Sequence, residues 1–143
     1  DIYYETTSDP ERDTAAISVI NGLQSIIPRL QKPLVDCSLP GDPIYRKVCP
    51  DNTIADARGG SGILIPTFCF PQFMTLLKST DSRSITVIHE FGHRYAGTRD
   101  HGAYYSTDTC FPTTDTEALS IKQRLDHADT FACFVGQTAL RGP

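Results

Sequence analysis

From Ser8 to Leu30 the apolar positions follow a helical period. Ile17, Ile20, Leu23, Ile27 and Leu30 recur at helical intervals, and Ser8-Asp9-Pro10-Glu11 has the form of a capping box with proline in the first turn. Pro28 has no N–H to donate and is expected to end or kink this helix near Ile27. Residues 31–43 read as loop. Ile44-Tyr45-Arg46-Lys47-Val48, the alternating Thr53-Ile54-Ala55-Asp56-Ala57, and Ile63-Leu64-Ile65 beyond the turn Arg58-Gly59-Gly60-Ser61-Gly62 read as short strands. They predict a small antiparallel sheet. Pro71 to Leu77 is expected to be helical with Phe73, Met74 and Leu77 inward. A further helix is expected over about 82–96, where Ile85, Ile88, Gly92 and Tyr95 form one stripe, Ser82 or Ser84 caps the start and Gly97 marks the stop. A last helical region runs from about Asp115 to Leu140, broken near Asp126 and packed by Leu119, Leu125, Phe131, Phe134 and Val135. Its capping box is read at Thr114-Asp115-Thr116-Glu117. The fold class expected is α+β, helix-rich, with one small sheet.

Length and charge narrow the function. At 143 residues the chain is expected to be a single domain over 1–143, long enough to bury about two thirds of its unfolded surface. A net charge of −4 without a dense Lys/Arg run argues against a nucleic-acid partner. The apolar runs fall far short of the roughly 20 residues of a membrane span. Asp1-Ile2-Tyr3-Tyr4 does not have the pattern of a signal peptide, so a secreted protein is expected to begin here in mature form.

The chemistry concentrates in His89-Glu90-Phe91-Gly92-His93, an H-E-x-x-H run with no proline to break it. Residues i and i+4 share a helix face one turn apart. Two imidazoles so placed can reach one Zn²⁺ at about 2.0–2.1 Å. Glu90, beside the first histidine, can serve a water at the metal without ligating the ion. A catalytic zinc site needs a third protein ligand. Ala96 and Arg99 stand where a metzincin needs glycine and histidine. Glu117, the only glutamate after Glu90, is given to the capping box. Gly97 lets the chain turn back toward the helix, leaving Asp100 and His101 as candidates that spacing does not separate.

His89-Glu90-x-x-His93, then Gly97-Thr98-Arg99-Asp100 and a nearby tyrosine, resembles the aspzincin metallopeptidases, the deuterolysin family of mostly fungal secreted endopeptidases. Ile65-Pro66-Thr67-Phe68-Cys69-Phe70-Pro71-Gln72-Phe73 resembles the family's aromatic-Cys segment, and His127-Ala128-Asp129-Thr130-Phe131 its N-A-D-x-aromatic segment. The resemblance spans roughly residues 62–135 and implies a zincin-like fold. It also implies one Zn²⁺ per chain on His89, His93 and Asp100, with Glu90 as general base and a tyrosine that polarises the substrate carbonyl. The pattern departs here at the tyrosine: Ala103 stands three residues after Asp100, Tyr104 one later, and Tyr105 where glycine is expected. Either a one-residue insertion delivers Tyr104 to the site, or Tyr104 and Tyr105 are packing aromatics and the site lacks that donor. His127 replaces the segment's asparagine, and Asp129 can fix the tautomer of a ligand histidine.

The resemblance to secreted proteins makes disulfides the expectation for Cys37, Cys49, Cys69, Cys110 and Cys133. Cys37 and Cys49 bracket Ser38-Leu39-Pro40-Gly41-Asp42-Pro43 like the ends of a disulfide-closed loop, a closure that adds about 3 kcal/mol. A Cys69–Cys110 or Cys110–Cys133 bond would then leave one buried thiol. The function expected is a secreted, monomeric zinc endopeptidase acting on protein or peptide substrates, with no nucleic-acid or membrane partner. The alternative is a catalytically weak or inactive zinc-binding or interaction protein, effector- or allergen-like, on the same scaffold.

Overall fold

The computed structural model describes residues 8–32, 35–42, 49, 53–56, 66–70, 72–75, 80–105 and 110–141. Helix α1 (Asp9–Gln31) starts at the expected capping box: Ser8 Oγ accepts from the Glu11 N–H and Glu11 Oε2 accepts from the Ser8 N–H. Pro28 does not end it. The bond it cannot make is to the carbonyl of the exposed Gln24 near the C-terminus, so the loss falls on a solvent-facing side.

Of the large apolar stripe of α1 only Leu23 packs against the core, and it is half-buried. Ile17, Ile20, Ile27 and Leu30 are exposed, Ile17 by 58%, while Ala15, Val19, Gly22 and Ile26 are buried. Gly22 supplies the reason. A Cβ there would stand 2.6 Å from the ring of Phe131, so only the small-residue side of α1 can approach that closely.

Strands β1 (Asp36–Ser38), β2 (Ala55–Asp56) and β3 (Thr67–Cys69) form a sheet in the order β1-β3-β2. β2 pairs with β3 antiparallel, but β1 pairs with it parallel, so the sheet is mixed rather than antiparallel. β1 lies in the stretch expected to be loop. β3 is buried at every position and shows no alternation, as a strand covered on both faces does not. The strands expected at Ile44–Val48 and Ile63–Ile65 lie outside the described residues; that at Thr53–Ala57 is present as β2.

In α2 (Gln72–Thr75) Phe73 is buried against Phe68, with ring centroids 4.8 Å apart, but Met74 is exposed and Leu77 lies outside the described residues. Helix α3 (Thr80–Phe91) begins ahead of Ser82 and Ser84, which therefore sit inside it rather than cap it. It widens into a π-helical turn (Gly92–Ala96) and stops at Gly97, whose φ of 73° is the left-handed conformation that suits glycine. The last helical region breaks near Asp126 as expected, and once more before it, giving α4 (Thr114–Glu117), α5 (Ile121–Leu125) and α6 (Ala128–Arg141). The cap of α4 lies one residue early. Thr113 pairs reciprocally with Thr116, and the exposed Glu117 is outside the box, its carbonyl accepting from the buried Arg124.

Helix α6 is the hub. Gly136 allows α3 to approach it, since a Cβ there would stand 2.8 Å from Ile85, and Phe131 meets α1. Val19, Ile26, Phe91, Tyr105 and Phe131 share the core. Cys49–Cys69 and Cys110–Cys133 are disulfides. The Cys37–Cys49 loop closure is thus not formed, and the unpaired thiol, Cys37, is exposed rather than buried. Cys69 at the end of β3 is bonded to Cys49, while in the pairing of β1 with β3 Cys37 stands opposite Phe68. Among the described residues no helix is long and apolar enough to cross a membrane.

Candidate metal centre

Helix α3 and the turn that follows it bring His89 and His93 together, their rings edge to face with centroids 4.5 Å apart and their Nε2 atoms 2.9 Å apart. Gly92 between them is buried, and a Cβ there would stand 2.8 Å from Thr98 Oγ1. That close approach lets the chain fold back after Gly97. The returning segment is then fastened to the start of α6: the Arg99 N–H donates to the Asp126 carbonyl at 2.7 Å, and the Ala128 N–H to the Arg99 carbonyl at 2.9 Å.

This anchoring separates the two candidates for the third ligand. Asp100 Oδ1 stands 2.9 Å from His93 Nε2 and 3.3 Å from His89 Nε2. His101, at a φ of 54°, turns away to Asp126, with Nε2 2.6 Å from Oδ1. Among the described residues, His89, His93 and Asp100 are the one group of three whose ligand atoms converge as a metal requires.

Both histidines present the correct nitrogen. His89 Nδ1 donates to Asp129 Oδ1 at 2.5 Å, and His93 Nδ1 donates to the Thr98 carbonyl at 2.8 Å. Each bond engages Nδ1 as the donor and leaves Nε2, the nitrogen that faces Asp100, as the one available to a metal. In a tetrahedral site with bonds of about 2.0–2.1 Å, ligand atoms stand about 3.3 Å apart. The observed edges of 2.9, 2.9 and 3.3 Å match that triangle after an opening of a few tenths of an ångström. Two imidazoles and a carboxylate form a donor set suited to a divalent first-row ion.

The electrostatics are strongly coupled. Burial disfavours a protonated His89, but its bonds to Asp100 and Asp129 outweigh this and push its pKa up to about 10. Burial also works against the Asp100 carboxylate, and the two histidines overcome it and hold its pKa well below the ordinary range. Glu90 is buried beside them. Burial pushes its pKa up, His89 and His93 pull it down, and Asp56 on β2 and Asp100 push it up again. Glu90 thus holds a proton more readily than a solvated carboxylate does.

Burial distinguishes the two tyrosines. Tyr105 is 3% exposed and belongs to the core, where its hydroxyl accepts from Thr130. Tyr104 is 52% exposed and lines a cavity of about 460 Å³ together with His93, Arg99 and Asp100. The flanks of Tyr104 are pinned. The Ala103 carbonyl accepts from His127 Nε2 at 2.9 Å, and the Tyr105 N–H donates to Asp129 Oδ2 at 2.9 Å. Burial lowers the pKa of His127, which is therefore neutral; its Nδ1 accepts the Thr130 N–H and its Nε2 carries the proton. Asp129 therefore joins His89 to the segment carrying Tyr104. The Thr98 carbonyl and Asp56 were not found from the sequence. A backbone acceptor leaves no residue-type signal, and Asp56 reaches Glu90 only through the placement of β2.

Comparison of the chain with protein-family models, with curated proteins and with solved structures finds no match.

Proposed function

We propose that the protein is a zinc-dependent endopeptidase of the aspzincin kind, acting outside the cell on protein or peptide substrates. The observation that carries this reading is a buried carboxylate, Glu90, beside a converging group of His89, His93 and Asp100. Zn²⁺ on those three residues would polarise a peptide carbonyl and make an adjacent water acidic enough to attack it. Glu90 takes the proton of the attacking water and returns it to the leaving amine; its raised proton affinity suits both steps. Tyr104 lines the cavity it shares with His93 and Asp100, and its hydroxyl would donate to the carbonyl oxygen as negative charge develops there. Asp129 and the Thr98 carbonyl keep the two imidazoles in the metal-binding tautomer. Two disulfides fit an oxidising compartment. The alternative, a metal-holding module without turnover, leaves the buried Glu90 without a task.

Hydrolysis of casein or a quenched peptide, abolished by a chelator and restored by Zn²⁺, tests the reading. Glu90→Gln should retain one Zn²⁺ per chain and lose about 10²–10⁴ in turnover. Undiminished turnover in that variant refutes the assigned role, and a wild-type protein that binds Zn²⁺ without hydrolysing any peptide supports the alternative.

A further inference from the structure

We propose that Arg99 is a specificity residue of this site, selecting substrates that place a carboxylate in the cavity, from an acidic side chain or from the free C-terminus of a short peptide. The inference rests on the peptidase reading above. Arg99 immediately precedes the third metal ligand, and its backbone is held on both sides, by the Asp126 carbonyl and by the Ala128 N–H. The pairing of Arg99 with His127 therefore fixes where its side chain leaves the chain. That side chain is exposed and lines the cavity shared with His93, Asp100 and Tyr104.

The carboxylates on the elements around it are already engaged. Asp100 faces the two histidines, Asp126 is bonded to His101, and Asp129 is bonded to His89 and to the Tyr105 N–H. Among the described residues the Arg99 side chain has no ion-pair partner. A guanidinium is thus carried from a fixed backbone position at the wall of a cleft beside the metal-binding group, and its planar donor pair matches a carboxylate in two parallel hydrogen bonds. With the Asp100 carboxylate turned to the two histidines, Arg99 is the group of this cavity wall that a substrate anion would meet.

The test uses one peptide sequence carrying Glu, Gln or Lys in turn at each position around the cleaved bond, each with a free or an amidated C-terminus. kcat/KM is measured for the zinc-loaded wild type, Arg99→Ala, Arg99→Lys and Arg99→Glu, with zinc content determined for each. The wild type should favour the carboxylate-bearing peptide by about tenfold over its neutral match. Arg99→Ala should abolish the preference, Arg99→Lys keep part of it and Arg99→Glu turn it toward Lys, all with zinc retained. Loss of the preference on amidation assigns the carboxylate to the C-terminus; persistence assigns it to the side chain. Binding of the same peptides to zinc-loaded Glu90→Gln, followed by fluorescence anisotropy, reads the discrimination without turnover. A wild type that cleaves nothing overturns the peptidase reading, whereas the ratio of affinities for carboxylate-bearing and neutral peptides reports on Arg99 alone. Equal affinities both between the Glu and Gln peptides and between the free and amidated ones, no binding of any of them, or a preference that survives Arg99→Ala overturns this inference.

Discussion

Replacing Asp129 with alanine separates metal binding from folding. Its Oδ1 accepts from His89 Nδ1 at 2.5 Å and its Oδ2 accepts from the Tyr105 N–H at 2.9 Å. Losing the first bond frees the His89 ring to turn and removes the charge that makes Nε2 a stronger donor. Partners of this kind are worth about 10–100-fold in metal affinity, or about 1.4–2.8 kcal/mol. Losing the second leaves a backbone N–H without its acceptor, at about 1–3 kcal/mol of stability, and this loss falls on the metal-free and metal-bound protein alike. Asp129→Asn keeps one amide oxygen, which can accept only one of the two bonds well, and should fall between wild type and Asp129→Ala. Competition with a chromophoric chelator gives the zinc affinity, and thermal denaturation in chelator gives the stability of the metal-free form. Asp129→Ala should show both losses. A variant with reduced stability and wild-type zinc affinity would refute the argument that Asp129 acts on the metal through His89.

Three further outcomes are expected. His89 in the metal-free protein has its pKa raised from 6.5 to about 10, so the stability it contributes is fully present below 6.5 and is lost as pH rises through 10. Asp100 is shifted the other way; its contribution is present above 3.8 and is lost as pH falls. Since a metal must displace the His89 proton, zinc affinity should still climb by about tenfold per pH unit between pH 7 and 8.5, where an unperturbed histidine would give a plateau. Gly92→Ala places a methyl group 2.8 Å from Thr98 Oγ1 and should cost about 1–3 kcal/mol in denaturant titration, with weaker zinc binding because the Thr98 carbonyl holds His93. Alkylation of the native, unreduced protein should modify one thiol, assigned to Cys37 by peptide mass, and Cys37→Ser should abolish the labelling; two or more modified thiols would contradict the disulfides.

What the sequence determined by itself is what neighbours along the chain decide. The Ser8–Glu11 box starts α1, Gly97 stops the turn after α3, and His89 and His93 meet because residues one turn apart share a helix face. The α+β class follows from the same local periods. Asp129 was legible as a partner for a histidine through the type of its segment, although its contact with His89 spans 40 residues. The tertiary structure separated adjacent residues that spacing left open. Asp100 rather than His101 faces the histidines, and Tyr104 rather than Tyr105 lines the cavity, because hydrogen bonds to the start of α6 set the rotation of this segment. One residue's difference in sequence becomes an opposite direction in space, which spacing does not encode. The same holds for the face of α1, decided by the contact of Gly22 with Phe131, and for the cysteine pairs, decided by which strands and helices lie side by side. Those are long-range packing outcomes: the helical period displays both sides of α1, and only the partner it packs against selects one.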